Sequence, residues 1–149
     1  MKEYSLDEQV EIIARGKEIF KEWFGIIPVA HRAGDWGADN NTLIALKRND
    51  FLADCSMFYK WPQCGLNSPL LTKNRVVDSE GIIEIPATVF GCVGMGLFSS
   101  FRLLSTDGST YAEVNHILDK MVQTGIPLIT SVYHSFSFLK YNSTRTKYA

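Results

Sequence analysis

Between residues 5 and 54 the chain runs helix, strand, helix, strand, and that alternation leaves few folds open to it. Each strand must be carried to its neighbour by a helix, so a parallel sheet with crossover helices is expected. Ser5 with Glu8 three residues on is a capping-box arrangement. Leu6, Val10, Ile13, Ala14, Phe20, Trp23 and Phe24 then recur at roughly helical spacing, and Gly25 stops the run. The spacing predicts an amphipathic helix over residues 6–24 whose apolar face packs on the sheet. A β-rich run follows at residues 26–30, where Pro28 marks an early or edge position. Asp39 or Asn40 can cap a second helix carrying Thr42, Leu43, Ala45 and Leu46. Residues 51–54 read as the next strand.

The remainder is less regular. Residues 57–81 hold Pro, Gly and Asn at short intervals and read as a long loop or a hairpin-bearing insertion, a place where function often sits. Residues 81–90 read as a strand. Gly91, Gly94 and Gly96 then interrupt an apolar segment without dinucleotide-fingerprint spacing, which predicts a mobile apolar rim. A helix is expected over 111–124. A strand is expected over 126–133, nearly continuous in apolar and β-branched residues as if covered on both faces. Residues 141–149 are polar and expected to fray.

At 149 residues, the chain is expected to be a single α/β domain over 1–149. Its net charge of −1 provides no electrostatic footprint for nucleic acid. It contains no apolar run long enough for a membrane span. The first residues lack the apolar core of a secretory signal, and three Cys without a Cys-x-x-Cys pattern read as free thiols. Both point to the cytoplasm.

Arg32, Asp54 and His134 fall at or just after expected strand ends. In a parallel sheet those ends share one face, where open α/β folds build their sites. An Arg can hold a carboxylate in bidentate geometry, and a His fixed by a carboxylate can act as a general acid. Each also has a plainer use: a salt bridge for Arg32, a satisfied half-buried position for His134, a turn cap for Asp54. Asp35 and Trp36 can line a sugar site or close their loop, and Tyr59 and Trp61 are weighed the same way. His116 reads as a solvated helix face. His31, on the opposite face of the strand from Arg32, reads as structural.

The stretch Ala30-His31-Arg32-Ala33-Gly34-Asp35-Trp36 resembles a conserved block of the polysaccharide deacetylase family, the NodB-homology domains, in which an aromatic residue, Arg, a small residue and Gly follow one another. Residues 42–56, ending Asp54-Cys55-Ser56, are similar to that family's helix and a strand that often ends Asp-Ser-Ser. Residues 126–138 are similar to its last block, a strand ending in His. His31 stands where the family has Phe or Tyr. The resemblance implies that Arg32 orients a catalytic Asp, that His134 protonates the leaving amine, and that Asp54 tunes His134. It also implies a divalent metal, zinc, held by one Asp and two His in a full-length form. None of those metal ligands is expected in this chain, because His31, His116 and His134 are far apart and no paired Asp precedes Arg32.

The resulting expectation is part of an irregular (β/α) barrel with mostly parallel strands, resembling the C-terminal half of a deacetylase barrel, with an insertion at 57–81. The expected function is hydrolysis of an N-acyl group from a carbohydrate. The alternative is a carbohydrate-binding or assembly protein that keeps the cleft without the metal site. The expected partner is a carbohydrate, and uncovered sheet edges would favour self-association.

Overall fold

The structure is a computed structural model and describes residues 1–93, 99–105 and 108–134. The expectations for Gly94 and Gly96 and for the tail over 141–149 lie outside those residues.

Helix α1 spans Leu6–Phe24. Ser5 accepts from the Glu8 amide, the Glu8 carboxylate accepts from the Ser5 amide at 2.8 Å, and Gly25 ends the helix in the left-handed conformation. Strand β1 (Ala30–His31) leads into a 3₁₀ turn at Gly34–Trp36, and helix α2 (Asn40–Arg48) is capped by Asp39, whose Oδ1 accepts from the Thr42 amide at 3.0 Å. Buried Gln9 joins the two helices, donating to Asp39 Oδ1 at 3.2 Å and accepting from Thr42 Oγ1 at 2.7 Å. Below this suture lie Ile13, Leu43, Leu46, Phe51, Met57 and Ile82, all buried.

Strand β2 (Ala53–Asp54) runs parallel to β1 and to β4 (Ile82–Glu84), as the alternation requires. β3 (Val77–Ser79) returns antiparallel against β4 through Glu80 and Gly81, whose φ values of 58° and 80° suit a two-residue hairpin turn. The sheet order is β1-β2-β4-β3, with a separate antiparallel pair of β5 (Val89–Val93) and β6 (Ser99–Leu103). The protein is therefore mixed α/β with a mostly parallel four-stranded sheet. Among the described residues that sheet is open and does not close into a barrel. Helix α3 (Tyr111–Gln123) starts from a capping box of Thr110 and Glu113 and buries Ile117 and Met121 beside Leu104.

Several expectations change. The run expected as one strand over 81–90 splits at Ile85–Thr88 into β4 and β5, because buried Pro86 has no N–H to continue a ladder. Where described, the segment expected as an apolar rim after Gly91 forms the antiparallel pair of β5 and β6. The strand expected over 126–133 does not form, apart from one isolated bridge between Ser105 and Val132. Pro127 removes a donor, and Thr130 bonds through its side chain. Its Oγ1 donates to Pro86 O at 2.7 Å and accepts from Thr88 N at 2.9 Å, and its own amide donates to Thr88 Oγ1 at 2.9 Å. Helix α1 is amphipathic as expected, but its face is covered only in its N-terminal half. Ile13 is buried, whereas Phe20, Phe24 and Trp23 (73% exposed) pack mainly on one another.

Candidate functional site

The strand registers align His31 of β1 with Asp54 of β2, and Asp54 with Glu84 of β4. Neighbouring strands lie about 4.8 Å apart, so three polar side chains stand in one row at the C-terminal ends of three parallel strands. Asp54 is fully buried, and its Oδ1 lies 2.7 Å from His31 Nδ1. Ser56 Oγ donates to the same oxygen at 2.8 Å, and Ser56 N donates to Oδ2 at 3.2 Å. Ser56 Oγ also accepts from the Ala33 amide at 2.9 Å, which ties the turn after β1 to the turn after β2.

Glu84 is buried behind them. One carboxyl oxygen accepts from the Met57 amide at 2.8 Å, and the other finds no hydrogen-bond partner among the described residues. Burial first, and then the negative charge of Asp54, push its carboxyl up to about 9, against the pull of the Met57 amide. It is therefore a neutral acid at physiological pH. The same surroundings push the Cys55 thiol up: burial foremost, then the charges of Asp54 and Glu84, with Arg32 opposing.

This network braces a strained turn. Asp35 and Trp36 take consecutive left-handed conformations, φ 49° and 52°, which side-chain-bearing residues rarely adopt and which concentrate at functional positions. Trp61 Nε1 donates to Asp35 O at 3.1 Å and stacks on Phe58, while Trp36 meets Phe58 edge-on with ring centres 5.1 Å apart. Arg32 lies over the Trp36 ring at 5.5 Å. Trp36 Nε1 is buried and finds no acceptor among the described residues.

Beside this turn is a cavity of about 330 Å³. Arg32 and Trp36 form one wall, Cys55, Ile85 and Ala87 its floor, and Thr130 to Tyr133 the far wall. The Thr88–Thr130 bonds hold that far wall in place.

Of the residues singled out from the sequence, Arg32 and Trp36 therefore meet the segment that leads into His134. His134 itself is exposed and directly follows the cavity-lining Tyr133. Asp54, next in the chain to the cavity-lining Cys55, holds His31, so the histidine it meets is the one read as structural. Asp35 contributes its carbonyl to Trp61, and Tyr59 packs edge-on against Phe101 with ring centres 4.9 Å apart. His116 is exposed on α3. Sequence reasoning missed His31, Ser56, Glu84 and Thr130 as parts of this architecture. An acid at the end of each of two apolar runs was the available signal for Asp54 and Glu84.

The divalent metal implied by the resemblance does not fit this residue set. Among the described residues no three His, Cys, Asp or Glu side chains form a group able to hold a metal ion. Comparison with known protein families, with curated proteins and with solved structures finds no match to this chain.

Proposed function

We propose that the cavity beside Arg32 and Trp36 is a carbohydrate site, and that the chain forms the substrate-holding and acid-donating wall of a hydrolase that removes an N-acyl group from a sugar. The observation that carries this reading is the shared cavity: Arg32 and Trp36 on one side, the segment ending in His134 on the other. An aromatic face, a guanidinium and an orphaned indole N–H suit a sugar ring with its hydroxyl and acyl oxygens. A volume of about 330 Å³ suits roughly one sugar unit. On this reading a water oxygen bonds to the acyl carbon and gives up a proton to solvent, the C–N bond breaks, and His134 donates its proton to the leaving nitrogen, so that a carboxylate and an amine are released.

A second reading is favoured by the lack of a metal-holding group among the described residues. The same cavity then binds a carbohydrate without hydrolysing it. Both readings require sugar binding, and acetate release separates them.

Titration of the labelled chain with N-acetylated chito-oligosaccharides, followed by NMR, is the test. The Trp36 indole N–H signal should shift, and Trp36→Leu should weaken binding about tenfold or more, in line with loss of a buried aromatic anchor. No shift at Trp36 or Cys55 at millimolar sugar would remove both readings.

A further inference from the structure

A second, larger depression of about 590 Å³ lies between α1 and the segment entering β1. Every residue from Ile26 to Arg32 lines it, opposite Ile12, Ile13, Lys17 and Phe20. Successive residues of an extended strand point to opposite faces. A depression touched by all seven residues of the segment that contains β1, of which Ala30 and His31 are strand, therefore runs along the edge of that segment and not one face of it. β1 is an outer strand of its sheet. Val29 O and His31 O accept from Ala53 and Cys55 of the β2 segment, at 3.2 and 2.9 Å, so the intervening Ala30 turns its N–H and C=O outward. Pro28, the other outward residue, has no N–H. The edge thus offers the Pro28 carbonyl and both groups of Ala30, in a fixed register. Around it Ile26, Ile27 and Val29 are exposed, as is Leu52 next to them. Apolar exposure on this scale, beside a strand edge that no described residue pairs, marks an interaction surface.

Charge selects the occupant. Among the described residues the lining contains Lys17, His31 and Arg32 and no acid. Lys17 is drawn to Asp50, and His31 to Asp54. Arg32 has no carboxylate partner among the described residues; its contacts are the Ala33 carbonyl at 3.5 Å and the Trp36 ring. A second copy of this edge would match the apolar residues but bring the same bases and no acid.

We propose that this edge is a strand-acceptor site. Its occupant is an apolar β-strand of a different polypeptide, running parallel to β1 and ending in a carboxylate that meets Arg32. Backbone bonds to Pro28 and Ala30 set the register, alternate side chains fill the depression, and the acid at Arg32 sets the direction. This inference does not depend on the sugar reading, because its readout is peptide binding.

The probe is an acetylated, amidated heptapeptide alternating Val or Ile with Thr and ending in Asp, alongside a twin ending in Asn. The Asp peptide should shift the amides of residues 26–32 and slow hydrogen exchange at Ala30. The Asn twin should bind at least threefold more weakly, and Arg32→Gln should erase that difference. Ala30→Pro removes the outward donor while keeping the bonds to β2, and should weaken binding at least tenfold with little change in melting temperature. If Ala30→Pro unfolds the chain, Ile27→Asp on the exposed rim provides the same readout. No amide shift over 26–32 at millimolar peptide would overturn the proposal. A homodimer in sedimentation analysis that dissociates on Ile27→Asp would also overturn it, in favour of a second copy.

Discussion

The two flanks of β1 obey opposite rules. Towards β2 the strand end is polar, buried and partnered: His31, Asp54 and Ser56 each have hydrogen-bond partners, and one Glu84 oxygen lacks a partner among the described residues. Towards α1 the strand is apolar and uncovered, from Ile26 through Val29 and across to Phe20. Burying polar groups is tolerable only when they are paired, and exposing apolar groups is tolerable only when something else covers them. The first flank meets its condition at every group but one Glu84 oxygen, and among the described residues nothing meets the condition of the second. Stability should therefore reside on the β2 flank, while the α1 flank should tolerate change.

Replacing Asp54 by Ala tests the partnered flank hardest. It strips partners from His31, Ser56 N and Ser56 Oγ at once, and should cost about 3–5 kcal/mol in chemical denaturation. A loss below about 1 kcal/mol would mean the network is ornamental.

The next effect follows from Glu84. Its folded carboxyl holds its proton up to about 9, against a usual value of 4.5, so folding takes up a proton above that usual value. The stabilisation from that proton is complete below about pH 4.5 and is lost progressively as pH rises towards 9. Glu84→Gln keeps an acceptor for Met57 N and has nothing to titrate. Relative to the parent, its stability should gain roughly 1 kcal/mol per pH unit between pH 5 and 8, approaching the limit for one proton. Parallel denaturation curves for the two proteins at every pH would refute the neutral-acid assignment.

The smallest effect belongs to the other flank. Trp23, 73% exposed at the end of α1, should accept Ser with a change within about 0.5 kcal/mol. A loss of 2 kcal/mol or more would show that the uncovered flank is covered after all.

The features legible in the sequence were those set by neighbours along the chain. The Ser5–Glu8 box and Gly25 bound α1, Asp39 was a named cap of α2, and the alternation of elements implied parallel pairing. What was not legible depends on register and cover. That His31 meets Asp54 follows from the pairing of β1 with β2, which no spacing in the sequence specifies. The segment at 126–133 has strand-like composition, yet Pro127 and the Thr130 side chain divert its bonding. The apolar stripe of α1 is plain in the sequence, but a stripe cannot say how much of itself will be covered. Arg32 and Trp36 were legible because a turn directly after a strand faces the shared end of the sheet wherever that sheet forms.

The reciprocal bonds between Thr88 and Thr130 join residues 42 apart in the chain. The α1–α2 suture joins Gln9 to Thr42, 33 apart, at nearly the same closure cost; what sets the threonine pair apart is that residues 126–131 around Thr130 form neither helix nor strand. The far wall of the cavity should therefore behave as a separate cooperative unit, exchanging its amide hydrogens through local opening while Leu43, Leu46 and Ile82 stay protected. Access to the cavity would then be set by the lifetime of the bonds that tie residues 130–132 to Pro86, Thr88 and Leu104, on a clock independent of global unfolding.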